Sequence, residues 1–264
     1  MRSILDEELE SGFNADADLC KAYLAKMKLG PSHHPDDPVE DLEDVIYYAH
    51  QVEVRTESPV INVIEEVERL TTQHTSPWNS TVSKYGGFLG FVVNRNLVHY
   101  VKTRLKTSPK AVHGSHVPLL HLAIQHIEPS SSRQQYLNVD MVRLLLSVGA
   151  DPNQGIIPTP AGWTVWREFI STLHEGRIRG ETDSTTLRRT LELLLAHGAD
   201  PAIESRIKRP GHQTSWNAKV HLTAAEILRA AVPNDAEWLL SKASKWNFSV
   251  GGIWSSWLTG KLLR

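Results

Sequence analysis

The chain has 264 residues, 41% of them hydrophobic and 22% charged, with a net charge of −2. Such a length suffices for a buried core in one large domain or two modest ones, and the balance is that of a globular protein, not a disordered or fibrous one. One cysteine, Cys20, excludes an internal disulfide, suits a reducing compartment and reads as a plain buried or half-buried thiol.

No apolar run approaches the roughly 18 residues a membrane helix needs. The amino terminus turns acidic by Asp6, unlike a secretory leader. A cytoplasmic protein is expected, with the nucleus left open and no membrane partner. Charge is unevenly placed. Residues 1–80 hold 6 Lys+Arg against 17 Asp+Glu, and the remainder holds 22 against 13. Either the halves attract one another, or the second favours an acidic partner, or the two simply present differently solvated surfaces.

In chain order, the first helical pattern places Leu19, Tyr23, Leu24 and Met27 at helical spacing and stops at Gly30-Pro31. A loop follows with His33, His34, Asp36 and Asp37. Adjacent loop residues rarely converge on one ion, so no metal site is expected there. A second helix spans Val39 to Val54, with a stripe of Leu42, Val45, Ile46, Ala49 and Val52. A third opens at Ser58-Pro59 with Val60, Val63, Ile64, Val67 and Leu70. The polar stretch from Thr71 to Lys84 is the expected boundary, giving an acidic helical region at 1–80 and a second region at 81–264.

Four copies of one unit are expected in that second region. The first runs from Gly87 to Val101. The second starts at Val117-Pro118-Leu119-Leu120-His121-Leu122-Ala123 and ends in Leu144-Leu145-Leu146-Ser147-Val148-Gly149-Ala150-Asp151-Pro152. The third starts at Gly162-Trp163-Thr164-Val165-Trp166 and ends in Leu193-Leu194-Leu195-Ala196-His197-Gly198-Ala199-Asp200-Pro201. A degraded fourth pairs Thr223–Leu228 with Ala236–Leu240. In each ending a leucine run needs a helix to gather it, the glycine stops that helix, and Asp-Pro turns the chain.

These residues resemble ankyrin repeats, whose signature is Thr-Pro-Leu-His-x-Ala followed by a second helix and Gly-Ala-Asp. The resemblance implies an all-α fold: an α-solenoid of about four degenerate repeats after a small helical region. In unit three Thr164-Val165-Trp166-Arg167 replaces the box. Gly149 and Gly198 lie 49 residues apart against a period of about 33. The excess is assigned to the polar stretches Glu128–Arg133 and Gly176–Ser184. His121, on the box histidine, would tie adjacent loops. A wider resemblance, carried by "FNADADLCKAYLAKMK", "LEDVIYYAHQVE" and "GWTVWREFI", is to the carboxy-terminal region of fungal NACHT-type NTPases with ankyrin tails, linked to signalling and non-self recognition. The nucleotide-binding portion of that group has no counterpart here, since no Gly-x-x-x-x-Gly-Lys-Ser/Thr occurs.

Catalytic motifs are missing: there is no Gly-x-Ser-x-Gly, His-Glu-x-x-His or Gly-x-Gly-x-x-Gly. His113-Gly114-Ser115-His116 sets a hydroxyl between two imidazoles, but no neighbouring carboxylate would orient either ring. No catalytic residue, cofactor, metal or small-molecule substrate is therefore expected. The basic runs at Lys102, Arg104, Lys106 and Lys110 and at Arg206, Lys208 and Arg209 lack the aromatic interleaving of single-strand binders, so nucleic acid is the weaker partner class.

The resemblance instead implies a non-enzymatic module that binds a protein through a concave face and hairpin tips. On the concave side it places Asn94 and Arg95, Gln125 and His126, Ser171 and Thr172. At the tips it places Lys110, His113, Trp163, His212 and Trp216. The alternative is a sensor or regulatory arm for the NTPase domain of a parent protein. Trp246, Trp254 and Trp257 in the tail would cap the end of the stack or form an open patch.

Overall fold

The computed structural model describes residues 4–29, 38–73, 76–114, 116–124, 137–157, 163–174, 184–208 and 219–243. The loop histidines at 33 and 34, the insertion at 128–133, residues 176–183 of the other insertion, and Trp246, Trp254 and Trp257 of the tail lie outside them. The fold is mostly helical, with one two-stranded sheet among the described residues. It divides into two compact units, Met1–Ala123 and Ile124–Arg264.

The first unit holds α1 (Ile4–Lys28), α2 (Pro38–Thr56), α3 (Ile61–Thr72), α4 (Asn79–Ser83), α5 (Phe88–Asn94), α6 (Val98–Thr107), α7 (Ala111–Gly114) and α8 (Leu119–Ile124, its last residue in the second unit). Helix α2 buries the expected stripe, Leu42, Val45, Ile46, Ala49 and Val52, largely against α1. The two run antiparallel, pinned by Arg55–Asp16 at one end and Lys26–Asp41 at the other. On α1 the buried line is Cys20 and Met27, while Leu19, expected inside, is exposed. Burial pushes the Cys20 thiol up to about 11, so it stays protonated and inert.

The expected boundary at 80/81 falls inside α4. Trp78 and Val82 are buried, so this stretch is core, not linker. Residues 81–123 carry six Lys+Arg and no Asp or Glu, and they pack with the acidic helices. Arg95 reaches Glu43 at 2.5 Å, and Arg104 reaches Glu68 at 3.1 Å. Much of the charge asymmetry is thus spent within this unit. Helices α5 and α8 also meet closely. A Cβ on Gly90 would lie 1.9 Å from the Tyr85 carbonyl oxygen and 2.9 Å from Leu122 Cδ1, so no larger residue fits there.

Helix α6 begins without a local cap. Leu97 at its N-cap has no side-chain acceptor, which would leave the first amides orphaned. Glu53 of α2 supplies the acceptor: its carboxylate takes the N–H of His99 at 3.1 Å and of Tyr100 at 2.9 Å. This carboxyl is 1% exposed. Burial pushes it up to about 7, against the opposing pull of the two N–H donors. His50, one turn earlier, bonds the Asn96 backbone, and burial holds its pKa below the usual imidazole range.

The second unit holds α9 (Val139–Ser147), α10 (Val165–His174), α11 (Ser184–Ala196), β1 (Glu204–Lys208), β2 (Lys219–Thr223), α12 (Ala224–Ala231) and α13 (236–243). Starts follow local chemistry. Asn138 accepts from the amides of Asp140 and Met141 to cap α9. Thr223 and Glu226 form a capping box on α12. Helix α9 lies against α11, α10 against α12, and β1 against α10. Met141, Val142, Leu145, Leu191, Leu194, Leu195, Trp166, Phe169, Ile227 and Leu228 are buried along these faces.

Candidate partner-binding surface

The two Gly-Ala-Asp-Pro stretches fold alike, bond for bond. Gly149 and Gly198 take φ of 96° and 89°, a conformation that costs glycine least. The Gly149 amide donates to Leu146 and the Ala150 amide to Leu145; Gly198 donates to Leu195 and Ala199 to Leu194. Each pair is a Schellman ending. Asp151 then accepts from the Asn153 amide at 2.8 Å, and Asp200 from Ala202 at 2.9 Å. These Asx turns swing the chain out of the helix direction.

The returning arms keep the same register. Trp166 N–H donates to Pro152 and Val165 N–H to Gln154, while Ala225 N–H donates to Pro201 and Ala224 N–H to Ile203. The inner hydrogen-bonded residues are Ile156 with Trp163 in one and Ser205 with Leu222 in the other. Both are β-hairpins whose second arm runs straight into a helix, and the second is ten residues longer between its matched ends.

One turn is tied to the next. The Asn153 amide donates to the Gly198 carbonyl at 2.7 Å, and its side-chain oxygen accepts from Asp200 N–H at 3.3 Å. Trp166 Nε1–H donates to the Asp200 carbonyl at 2.8 Å. Ser171 and Ser205 share a hydrogen bond beneath. Asn153→Ala removes both of its ties, and a loss of about 1–2 kcal/mol is expected in urea unfolding of the chain.

The outer edge of α10 carries the group best suited to contact. Trp163 is half-buried, its indole N–H donates to Glu168, and the Arg167 guanidinium lies 5.3 Å from its ring centroid. Arg167 N–H bonds Thr164 Oγ1 at 3.2 Å, and Thr172 Oγ1 bonds the Glu168 carbonyl at 2.9 Å. An indole and a guanidinium held in fixed planes lose little entropy on binding, and both types are enriched where binding energy concentrates.

The expected contact residues do not gather in one place. Trp163 lies against Arg167 and Glu168 on this edge, and Thr172 lies one turn further along the helix from Glu168. Ser171, on the same helix, is buried and bonded inside the fold. Asn94 is 3% exposed and donates to the Leu122 carbonyl at 3.2 Å. Arg95 is engaged by Glu43 and lies 5.4 Å from the Phe91 ring centroid. Both belong to the first unit and hold it together. Gln125, His126, His212 and Trp216 lie outside the described residues, as does Ser115 between the exposed His113 and His116. Arg167 and Glu168 were missed, because Trp163 lies on the hairpin arm ahead of α10 and only its contacts with that helix bring the three together.

Among the described residues no cluster of three or more metal-binding side chains occurs, and no helix is long and apolar enough to cross a membrane. Comparison of the chain with protein-family models, curated proteins and solved structures finds no match.

Proposed function

We propose that the chain is a non-enzymatic, cytoplasmic protein-binding module built on a stack of degenerate ankyrin-like repeats. The support is clearest from α9 onward. The observation that carries the reading is the identical bonding of the two Gly-Ala-Asp-Pro turns, with Asn153 and Trp166 joining the first to the second. A turn that recurs with the same bonds and is tied to its own copy supports reading the two as neighbouring elements of an array. Such arrays bury one face of each helical pair against the neighbour and leave the other side for a partner. On that side the Trp163–Arg167–Glu168 edge is the contact surface.

The test is a paired capture from lysate of the source cells, using the wild-type chain and a Trp163→Ala/Arg167→Ala variant. We expect a protein retained by the wild type and lost, or held at least about tenfold more weakly, by the variant. Circular dichroism must show the variant folded. Capture of the same proteins by both chains would overturn the reading.

A further inference from the structure

Three of the six exposed large apolar side chains among the described residues lie on α1 and α2: Leu19, Tyr47 and Val54. Single exposed apolar groups are ordinary. Here two half-buried tyrosines, Tyr23 and Tyr48, join the first two of them. The Tyr23 and Tyr48 rings stack across the helix pair, with centroids 5.6 Å apart and planes 17° from parallel. Tyr47 meets Tyr48 at 5.3 Å and 77°. Leu19 stands one turn before Tyr23, on the same side of α1. Leu19, Tyr23, Tyr48 and Tyr47 therefore make one continuous strip across the outside of the pair.

The helical phase of α2 shows what borders the strip. Leu42, Val45, Ile46, Ala49 and Val52 mark its inner side. Glu40, Tyr47, Gln51 and Val54 recur at i, i+7, i+11 and i+14 along the opposite side. That line is acidic at its start and apolar at its end. Helix α2 as a whole carries five acids and one base. The base, Arg55, is held by Asp16, and Lys26 beside Tyr23 is held by Asp41. The cations at the two ends of the strip are thus already paired. The Tyr23 hydroxyl donates to Asp44. Glu40 is exposed and in no ion pair among the described residues, in a unit that holds 17 acids against 12 bases.

We propose that the outward side of α1 and α2 is a docking surface for a short protein segment that carries an arginine or lysine near apolar residues. Tyrosine faces attract cations as well as apolar groups, and Glu40 supplies the opposite charge. Glu40 and Tyr47 are seven residues apart on one helix, which is about 10 Å at the α-helical rise. An extended segment covers that distance in about three residues. The ligand therefore has its cation about three positions from its first apolar residue. An acidic segment would meet Glu40 and the field of the whole unit, and a polyanion would meet them more strongly. The surface belongs to the first unit and does not rest on the reading of the Trp163 edge in the second.

The experiment is panning of a displayed random twelve-residue peptide library on the full chain, with a Tyr47→Ala chain as counter-selection. Peptides kept by the wild type alone should be enriched in Arg or Lys close to Leu, Phe or Trp. The best of them, measured by fluorescence anisotropy, should bind more weakly as salt rises. Tyr47→Ala and Glu40→Lys should each weaken it at least about tenfold. Both residues are exposed, circular dichroism checks the fold, and Glu40→Lys serves as counter-selection if Tyr47→Ala fails that check. The proposal is overturned if no peptide distinguishes the wild type, if acidic or purely proline-rich sequences are enriched, or if Glu40→Lys binds equally. The Trp163→Ala/Arg167→Ala variant should hold the peptide as the wild type does; loss there would place the peptide elsewhere and sink the proposed surface, leaving the Trp163 edge standing.

Discussion

Glu53→Ala is expected to destabilise the first unit by about 2–4 kcal/mol, since it strands one buried and one part-buried amide at once. The His99 and Tyr100 N–H groups have this carboxylate as their partner, and Leu97 offers no replacement. Against a total of about 5–15 kcal/mol for a typical domain the loss is severe. Urea unfolding gives the total, and faster amide exchange at His99 and Tyr100 locates it. A variant with unchanged exchange at those two amides would show that Glu53 is not their cap.

The same group makes a signed prediction about pH. Its folded-state value of about 7 lies above the ordinary carboxyl range, so between about pH 4.5 and 7 the folded state binds more protons than the unfolded one. Its contribution is therefore fully present in acid and is lost as pH rises through that window, by about 3 kcal/mol at one unit per 1.36 kcal/mol. Glu66 runs the other way. Hydrogen bonds from Arg69 and Lys28 pull it down to about 2, so its contribution is lost only in stronger acid. Glu53→Gln isolates the first effect, because glutamine does not titrate. The stability of the wild type relative to Glu53→Gln should fall from pH 5 to pH 8; a constant difference would exclude the shift.

Glu53 also shows where sequence reading runs out. Helix caps are legible when they are local, as in Asn138 before α9 or Thr223 with Glu226 on α12. Glu53 caps a helix 46 residues away, and one glutamate on an acidic helix looks like any other. The boundary placed at 80/81 fails for a related reason. Polar residues and Pro77 read as linker, yet Trp78 and Val82 turn inward. By contrast, the glycines at 149 and 198 and the aspartates after them act only on the next few residues, and the structure has them where their chemistry requires. Strands β1 and β2 were not expected, because their short runs mix cations with isolated apolar residues and a ten-residue gap separates them.

Trp166→Ala is expected to cost about 3–5 kcal/mol in the second unit, the range for removing a buried large aromatic side chain. Trp166 is fully buried and packs beside Phe169, with ring centroids 6.3 Å apart. Its indole N–H also holds the Asp200 carbonyl, so truncation opens a cavity and frees the second turn together. Trp166→Phe separates the two effects. It keeps most of the packing and loses the bond, and about 1–2 kcal/mol should go with it. Thr164-Val165-Trp166-Arg167 stands where the expected Thr-Pro-Leu-His box would fall. Trp166 fills the position of the box leucine and adds the bond to Asp200, so Trp166→Leu should leave an underfilled core and lose that bond. Chemical denaturation of the three variants, with amide exchange at Asn153 and Asp200 as the local readout, measures both parts. If Trp166→Phe is as damaging as Trp166→Ala, the hydrogen bond to the second turn outweighs the packing; if it is harmless, the turn is held by Asn153 alone.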